Sequence, residues 1–284
     1  MLDADQINET RAPGDSMLAI RRCRYGTMMY LRRDRYVGRS LAEYGEYSEG
    51  EVELFRQCLQ PGDVALDIGA NLGAHTLALA QIVGPGGAVF AFEPQRILFQ
   101  ILCGNVALNE IPNVHALPVA LGRAAGRAKV PALDYRGASN FGGVSLAGAQ
   151  GEDVPVAPLD QLEVARVKLI KIDVEGMELD VLAGAKATLA RCHPILYVEN
   201  DRAEKAEALV ALLQENGYRM WWHTPQLYSP ANFLGNPNNV FGNVASFNML
   251  CLPREMATQV QGLTEIASPQ AAAALLRGLP KAKS

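Results

Sequence analysis

The feature that most constrains this chain is the stretch Val64–Thr76, VALDIGANLGAHT. An apolar run ends at Asp67, a Gly-x-Asn-x-Gly turn follows, and the next residues continue with a helical pattern. Glycines let a ligand approach the backbone closely, and the free N–H groups of a first helical turn point toward such a ligand. The stretch therefore predicts a strand, a tight turn and a helix N-terminus arranged around a bound molecule.

The residues of this turn discriminate between two classes of cofactor. A dinucleotide fingerprint reads G-x-G-x-x-G, but here Asn71 replaces the middle glycine and Asp67 would repel a pyrophosphate. A carboxylate attracts an ammonium group, and S-adenosylmethionine carries an ammonium and a sulfonium but no phosphate. Glu93 ends the next apolar run and can accept ribose hydroxyls in either class. We therefore predict S-adenosylmethionine; an ordinary helix-capping turn is the alternative.

Composition sets limits on the partners and the compartment. About half of the residues are apolar, and the net charge of −4 gives no basic footprint for nucleic acid. No apolar run is long enough to span a bilayer, and the acidic N-terminus lacks the apolar segment of a secretory signal. The five cysteines are scattered and form no C-x-x-C pair. We expect reduced thiols and a cytoplasmic protein, and a homo-oligomer stays open.

The order of apolar segments predicts the fold class. Strand and helix patterns alternate from residue 64 to residue 252, which indicates an α/β fold with a doubly wound, mostly parallel sheet. Before it, two short apolar runs flank Tyr25-Gly26 and predict a hairpin, followed by helical pattern. We divide the chain into an N-terminal hairpin and helical extension over 1–60, a central domain over 61–253 and a helical tail over 254–284.

Four carboxylates come where apolar runs stop: Asp67, Glu93, Asp173 and Glu199. In an open parallel sheet ligands bind at the carboxyl ends of the strands, so these side chains should share one crevice. Asp173 and Glu199 could instead be helix N-caps.

Three irregular segments are candidates for the walls of that crevice. A small-residue loop, 139–145, contains Asn140 and lies inside a predicted inserted hairpin formed by residues 127–133 and 154–157. The break at residues 44–48 contains Tyr47, whose ring could close over a sulfonium or belong to a surface helix joint. The excursion Thr224–Val244, which contains Asn232, mixes rings and amides that suit a polyhydroxylated ligand, or is a surface loop rich in turn formers.

Several of these motifs together resemble one known family. They are the run from Asp67 to Thr76, Phe92-Glu93-Pro94, the block Leu169–Glu178 (LIKIDVEGME) and Val198-Glu199-Asn200. At this spacing they are similar to the FkbM family of S-adenosylmethionine-dependent methyltransferases, over roughly residues 46–220. The resemblance implies the class I methyltransferase sheet, Rossmann-like, with seven strands of which the last is antiparallel. It also implies methylation of hydroxyls on natural products and sugars, or of peptide amides in some members.

The resemblance assigns roles to individual residues. By it, the methionine part is held by Asp67, Gly69, Asn71 and Gly73, the ribose by Glu93, and the adenine by Ala120 and Leu121. Asp173 and Glu175 would face the methyl group and the acceptor. His75 is interpreted as a structural residue at a helix start, whereas His223, beside the excursion, is the better acceptor-site candidate.

The expected reaction is methyl transfer to a hydroxyl of a sugar, a glycan or a glycosylated natural product. The enzyme would align an acceptor lone pair with the C–S bond and remove a proton. Asp173, Glu175 or His223 would orient or deprotonate the acceptor, and its hydroxyls would bind the four residues Asn140, Glu199, Asn200 and Asn232. We expect no metal, although Asp173, Glu199 and Asn200 would form a Mg²⁺ site in the alternative. The competing functions are N-methylation, a non-catalytic binding protein and a nicotinamide oxidoreductase.

Overall fold

The computed structural model describes residues 16–146 and 150–278, so the outer ends of the predicted extension and tail lie outside it. The strands are β1 (Leu18–Cys23), β2 (Gly26–Leu31), β3 (Val64–Ile68), β4 (Ala88–Phe92), β5 (Val114–Leu117), β6 (Ala120–Leu121), β7 (Gly126–Val130), β8 (Glu152–Ala157), β9 (Leu169–Ile172), β10 (Ile195–Glu199), β11 (Tyr218–His223), β12 (Asn248–Pro253) and β13 (Thr264–Glu265). The helices are α1 (Val37–Tyr44), α2 (Glu49–Cys58), α3 (Ala74–Val83), α4 (Arg96–Leu108), α5 (Glu178–Ala183), α6 (Lys186–Cys192), α7 (Ala203–Glu215) and α8 (Pro269–Arg277).

Within the described residues, the central sheet has the strand order β13-β11-β12-β10-β9-β3-β4-β5. The five strands from β10 to β5 are parallel, whereas β12 is antiparallel to both of its neighbours. Helices cover both faces, which explains why β3 and β9 read as continuous apolar runs rather than alternating ones. The α/β class and the antiparallel seventh strand are confirmed, and the parallel strands end at one edge of the sheet.

The strands differ from the sequence interpretation in two places. The short strand β13 adds an eighth, antiparallel member beside β11. The predicted strand over residues 114–121 breaks at Pro118, which has no N–H to donate to a ladder. As a result, Ala120 and Leu121 do not end a strand of the central sheet; they form β6, which pairs with β8 beside β7 in a separate three-stranded sheet.

The extension and the tail share apolar clusters with the central sheet. Side chains of β1, β2, α1 and α2 pack with Leu77 of α3 and Leu98 of α4. Ala272 and Leu276 of α8 pack in the same cluster as side chains of α7. The boundaries at residues 60 and 253 stay predictions, because both flanking segments contribute to common cores.

The structure describes the state of the cysteines and the character of the helices. All five cysteines are free thiols; Cys23 and Cys251 are buried and the other three are half-buried. Among the helices of the described ranges, none has both the length and the apolar character needed to cross a bilayer.

Candidate active site

The turn after β3 is fixed by its two neighbouring strands. The N–H groups of Gly69 and Ala70 both donate to the carbonyl of Phe92 at the end of β4, at 3.0 Å. Gly69 has φ +82°, and a Cβ atom there would lie 1.8 Å from the carbonyl oxygen of Asp173 at the end of β9. Only glycine fits this position, so the turn is locked between β4 and β9.

Glu93 is anchored on the main chain of the same region. One carboxylate oxygen accepts the N–H of Asn71 and the other accepts the N–H of Gln95, each at 2.8 Å. Burial raises the pKa of Glu93 to about 7, although these two hydrogen bonds lower it. Its side chain lines the cavity described below, so the residue predicted to bind ribose is held in place before any ligand arrives.

Asp67 and Lys171 form a buried pair that the sequence analysis did not anticipate. They face each other on adjacent strands β3 and β9, with Lys171 Nζ 3.3 Å from Asp67 Oδ1. Thr76 Oγ1 also donates to Asp67 at 2.6 Å. Asp67 is completely buried and lies behind the cavity wall, which Lys171 lines. The predicted contact of Asp67 with a methionine ammonium stays a prediction; the geometry shows that Asp67 fixes Lys171.

Lys171 links this pair to the carboxylates of the crevice. Its Nζ also lies 3.4 Å from Asp173 Oδ2. Burial alone would lower the pKa of Lys171, but Asp67 and Asp173 raise it above its ordinary value, so the side chain stays charged. A lysine inside the apolar run LIKI was the available sequence signal, because a charge buried in a strand needs a partner.

A cavity of about 850 Å³ opens at the carboxyl edge of the sheet. The turn after β3, the ends of β9 and β10 and the loop 139–145 form its floor and one side. Tyr47 and Glu51 from the extension, residues 244–248 at the start of β12 and just before it, and the end of α8 form the other side. This volume suits a small-molecule site, and the walls come from segments far apart in sequence.

Three carboxylates converge in this cavity. One oxygen each of Asp173, Glu175 and Glu199 lies within 4.8 Å of the others. Arg202 Nη2 lies 2.7 Å from Glu175 Oε2. Burial, together with the charge of Asp173, raises the pKa of Glu175 to about 7 and that of Glu199 well above its ordinary value. Hard oxygens of this kind could hold a divalent cation, so the metal-free expectation stays a prediction.

A second, smaller cavity adjoins Glu93 on the side of the three-stranded sheet. It is lined by Ala120 and Leu121 and by apolar side chains such as Val174 and Met177. Gln95 also lines it; this side chain is buried, and its Oε1 atom has no hydrogen-bond partner within the described part of the chain. Ala120 and Leu121 thus lie where a flat apolar ring could sit beside Glu93, although they reach that place from β6 rather than from the central sheet.

The predicted acceptor residues separate into two groups. Asn140 and Glu199 line the larger cavity. Asn200 lies outside its lining and is buried, with Nδ2 3.2 Å from Met249 Sδ. Asn232 is 5% exposed and bonds within the excursion, to the carbonyls of Ser229 and Asn236 and to the Asn236 N–H. The geometry gives Asn232 a turn-forming function, and its contact with an acceptor stays a prediction.

The two histidines considered from sequence differ in their relation to the cavity. His223 lies outside the cavity lining, and its Nδ1 is 2.8 Å from the hydroxyl of Tyr197. The inserted strand β12 separates β11 from β10 and carries His223 away from the crevice. His75, in contrast, lines the cavity from the first turn of α3. Its interpretation as a structural residue at a helix start and that of His223 as an acceptor-site residue both stay predictions.

Comparison with known proteins identifies the family. The family model of the FkbM methyltransferase domain matches residues 67–220. The chain is 26% identical over 248 residues to the 31-O-demethyl-FK506 methyltransferase FkbM of Streptomyces tacrolimicus, covering 76% of this chain and 90% of that protein. It is 30% identical over 142 residues to the hexuronic acid methyltransferase AglP of Haloferax volcanii, covering 48% of this chain and 56% of that relative.

A solved structure of a methyltransferase FkbM from Methylobacillus flagellatus aligns with a TM-score of 0.43 at 16% identity, covering 71% of this chain and 50% of that one. The region matched by the family model contains the turn after β3, Glu93 and the carboxylates of β9 and β10, and it makes up more than half of the chain. The chain belongs to the FkbM family of methyltransferases.

Proposed function

We propose that this protein transfers a methyl group from S-adenosylmethionine to a hydroxyl of a sugar, a glycan or a glycosylated natural product. The observation that carries the cofactor is the fixed position of Glu93 between two cavities, one large and polar and one small and apolar. A ribose on Glu93 would place the adenine in the smaller cavity, where Gln95 Oε1 lacks a donor that the adenine amine could supply.

The larger cavity supports a hydroxyl-bearing acceptor. The cofactor would supply an activated methyl group, so the chain's main task is to align the acceptor oxygen. Asp173 and Glu175 would orient the acceptor, and Asn140 and Glu199 would accept or donate hydrogen bonds to its other hydroxyls. Two relatives, a 31-O-demethyl-FK506 methyltransferase and a hexuronic acid methyltransferase, support an acceptor of this kind. The cytoplasmic location and an oligomeric state stay predictions.

Two measurements test this function. Calorimetric titration with S-adenosylhomocysteine should show binding, and titration with NAD should show none. Methyl-labelled S-adenosylmethionine should then label members of a panel of methyl glycosides that includes neutral hexosides, hexosaminides and hexuronosides. Binding of NAD alone would support an oxidoreductase, and S-adenosylhomocysteine binding without labelling of any hydroxyl compound would support a binding protein or an amide acceptor.

A further inference from the structure

His75 is a buried polar side chain that lines a ligand cavity and has one ring nitrogen without a partner. It is 6% exposed, it lines the larger cavity, and its Nε2 has no hydrogen-bond partner among the residues that the structure describes. Buried polar atoms are nearly always paired, so an unpaired one in a site calls for an explanation. With the ring proton on Nδ1, Nε2 would present a lone pair to whatever enters the cavity.

The ring is held in place by the extension. Tyr47 and Phe55 pack against the imidazole with ring centroids 5.4 and 5.7 Å away. Glu51 Oε2 lies 4.0 Å from His75 Nε2, too far for a hydrogen bond but close enough to stabilise a positive ring. The other oxygen of Glu51 accepts the hydroxyl of Ser48 at 2.8 Å, which orients the carboxylate.

The other candidate bases near the acceptor differ from His75 in their surroundings. Asp173 and Glu175 have cationic partners. Burial and the charge of Asp173 raise the pKa of Glu199, which favours its protonated form, although its Oε2 also has no hydrogen-bond partner among the described residues. His223 shares a hydrogen bond with Tyr197 outside the cavity. Among the described residues that line the cavity, His75 therefore offers a ring nitrogen that has no hydrogen-bond partner.

We propose that His75 is the catalytic base of the methyl transfer and that Glu51 is its positioning residue, an inference that rests on the proposed function. The acceptor hydroxyl would donate to Nε2. As the acceptor oxygen bonds to the methyl carbon, the C–S bond breaks with its electron pair left on sulfur, and the hydroxyl proton passes to Nε2. Glu51 stabilises the resulting imidazolium, which then releases its proton to water.

Other side chains surround His75 and Glu51 or interact with them. Tyr47 packs on the ring from the segment before α2, and Glu51 faces it from α2. Lys171 on β9 interacts electrostatically with the same Glu51. Removing the charge of Glu51 should therefore slow the reaction without removing the ring itself.

The kinetic test compares His75→Gln with His115→Gln, a matched change at an exposed histidine on β5. With the best methyl glycoside of the panel, His75→Gln should lower kcat by about 10²- to 10⁴-fold with unchanged affinity for S-adenosylhomocysteine. His115→Gln should behave as the wild type. Glu51→Gln should lower kcat more than it changes KM, and Glu51→Asp should recover part of the loss.

A second measurement needs no acceptor turnover. In long-range ¹H–¹⁵N spectra of histidine-labelled protein saturated with S-adenosylhomocysteine, Nε2 of His75 should be unprotonated and should shift when the methyl glycoside is added. The proposal would be overturned if Nε2 of His75 carried a hydrogen-bonded proton in that complex. It would also be overturned if His75→Gln turned over normally, or if His75→Gln lost affinity for S-adenosylhomocysteine in parallel with kcat. Loss of kcat in His223→Gln instead would do the same. Failure of the wild type to bind S-adenosylhomocysteine would count against the proposed function.

Discussion

The two halves of the cavity are built by different kinds of interaction. On the proposed cofactor side, main-chain groups do the positioning: Glu93 accepts two backbone N–H groups, and Gly69 approaches the main chain just after β9. On the proposed acceptor side, side-chain charges position one another, as Lys171 does for Asp173 and Arg202 for Glu175. The geometry of the first half is set by the main chain, whereas that of the second half depends on the charges of individual side chains.

The largest effect should follow from breaking the backbone-anchored half. Gly69→Ala should abolish S-adenosylhomocysteine binding, because its Cβ would collide with the carbonyl of Asp173. The matched control is Gly62→Ala, which has a similar positive φ of +94° but open space around the Cβ position. Strain alone should cost the control about 1–2 kcal/mol of unfolding free energy. Calorimetry measures the affinity of each variant for S-adenosylhomocysteine, and thermal unfolding measures its stability. If Gly69→Ala bound S-adenosylhomocysteine as tightly as the wild type, the turn after β3 would not be locked between β4 and β9.

A smaller effect is expected from one side chain of the same half. Glu93→Gln places an amide N–H₂ against one of two backbone N–H donors and weakens the ribose contact. We expect a loss of about 1.5–3 kcal/mol in S-adenosylhomocysteine binding, the value of hydrogen bonds to a charged group. That corresponds to a roughly 10- to 150-fold higher Kd by calorimetry. The exposed Glu215→Gln at the end of α7 is the control, and equal Kd values would remove Glu93 from the cofactor site.

In the proposed acceptor half, Glu175 should make the free energy of unfolding depend on pH. The pKa of Glu175 is raised from 4.5 to about 7, so the folded state binds more protons than the unfolded chain between these values. The free energy of unfolding should therefore fall as pH rises from about 4.5 to about 7. Glu175→Gln should flatten this slope by up to about 1.4 kcal/mol per pH unit. Chemical denaturation at several pH values checks this, and an unchanged slope would contradict it.

The smallest effect should come from metal removal. Asp173 and Glu175 already have cationic partners in Lys171 and Arg202, so we expect methyl transfer to persist in EDTA. Activity that disappears with EDTA and returns with Mg²⁺ would make Asp173, Glu175 and Glu199 metal ligands. It would also mean that a cation, rather than side chains alone, organises the acceptor half.

The contrast between the halves also explains which features the sequence could predict. The turn Gly69–Gly73 and Glu93 depend on local pattern, a strand followed by a tight turn, and both lie at the cavity as expected. The α/β class and the antiparallel seventh strand followed from segment order and family resemblance. The break at Pro118 and the pairing of β6 with β8 were missed, because a short apolar strand does not reveal its partner.

The acceptor half was harder to predict because its members are distant in sequence. Glu51 and Lys171 approach each other only through the packing of α2 against the sheet, which no local pattern encodes. Asn232 and His223 were predicted as acceptor-site residues, and the structure shows hydrogen bonds of Asn232 within the excursion and of His223 with Tyr197. A sequence shows which polar groups are present, but it does not show which of them have hydrogen-bond or ion-pair partners in the folded chain.

The bond between Tyr44 and the excursion has a consequence for the order of folding. Tyr44 Oη donates to the carbonyl of Asn238, and the Phe233 N–H donates to Glu46, across separations of 194 and 187 residues. Contacts of such long range form late, because the chain must first close a long loop. On the ribosome, β3, β4 and the turn between them would be synthesised well before residue 238. The segment around Tyr44 and Tyr47 would acquire its final support only when nearly the whole chain has emerged.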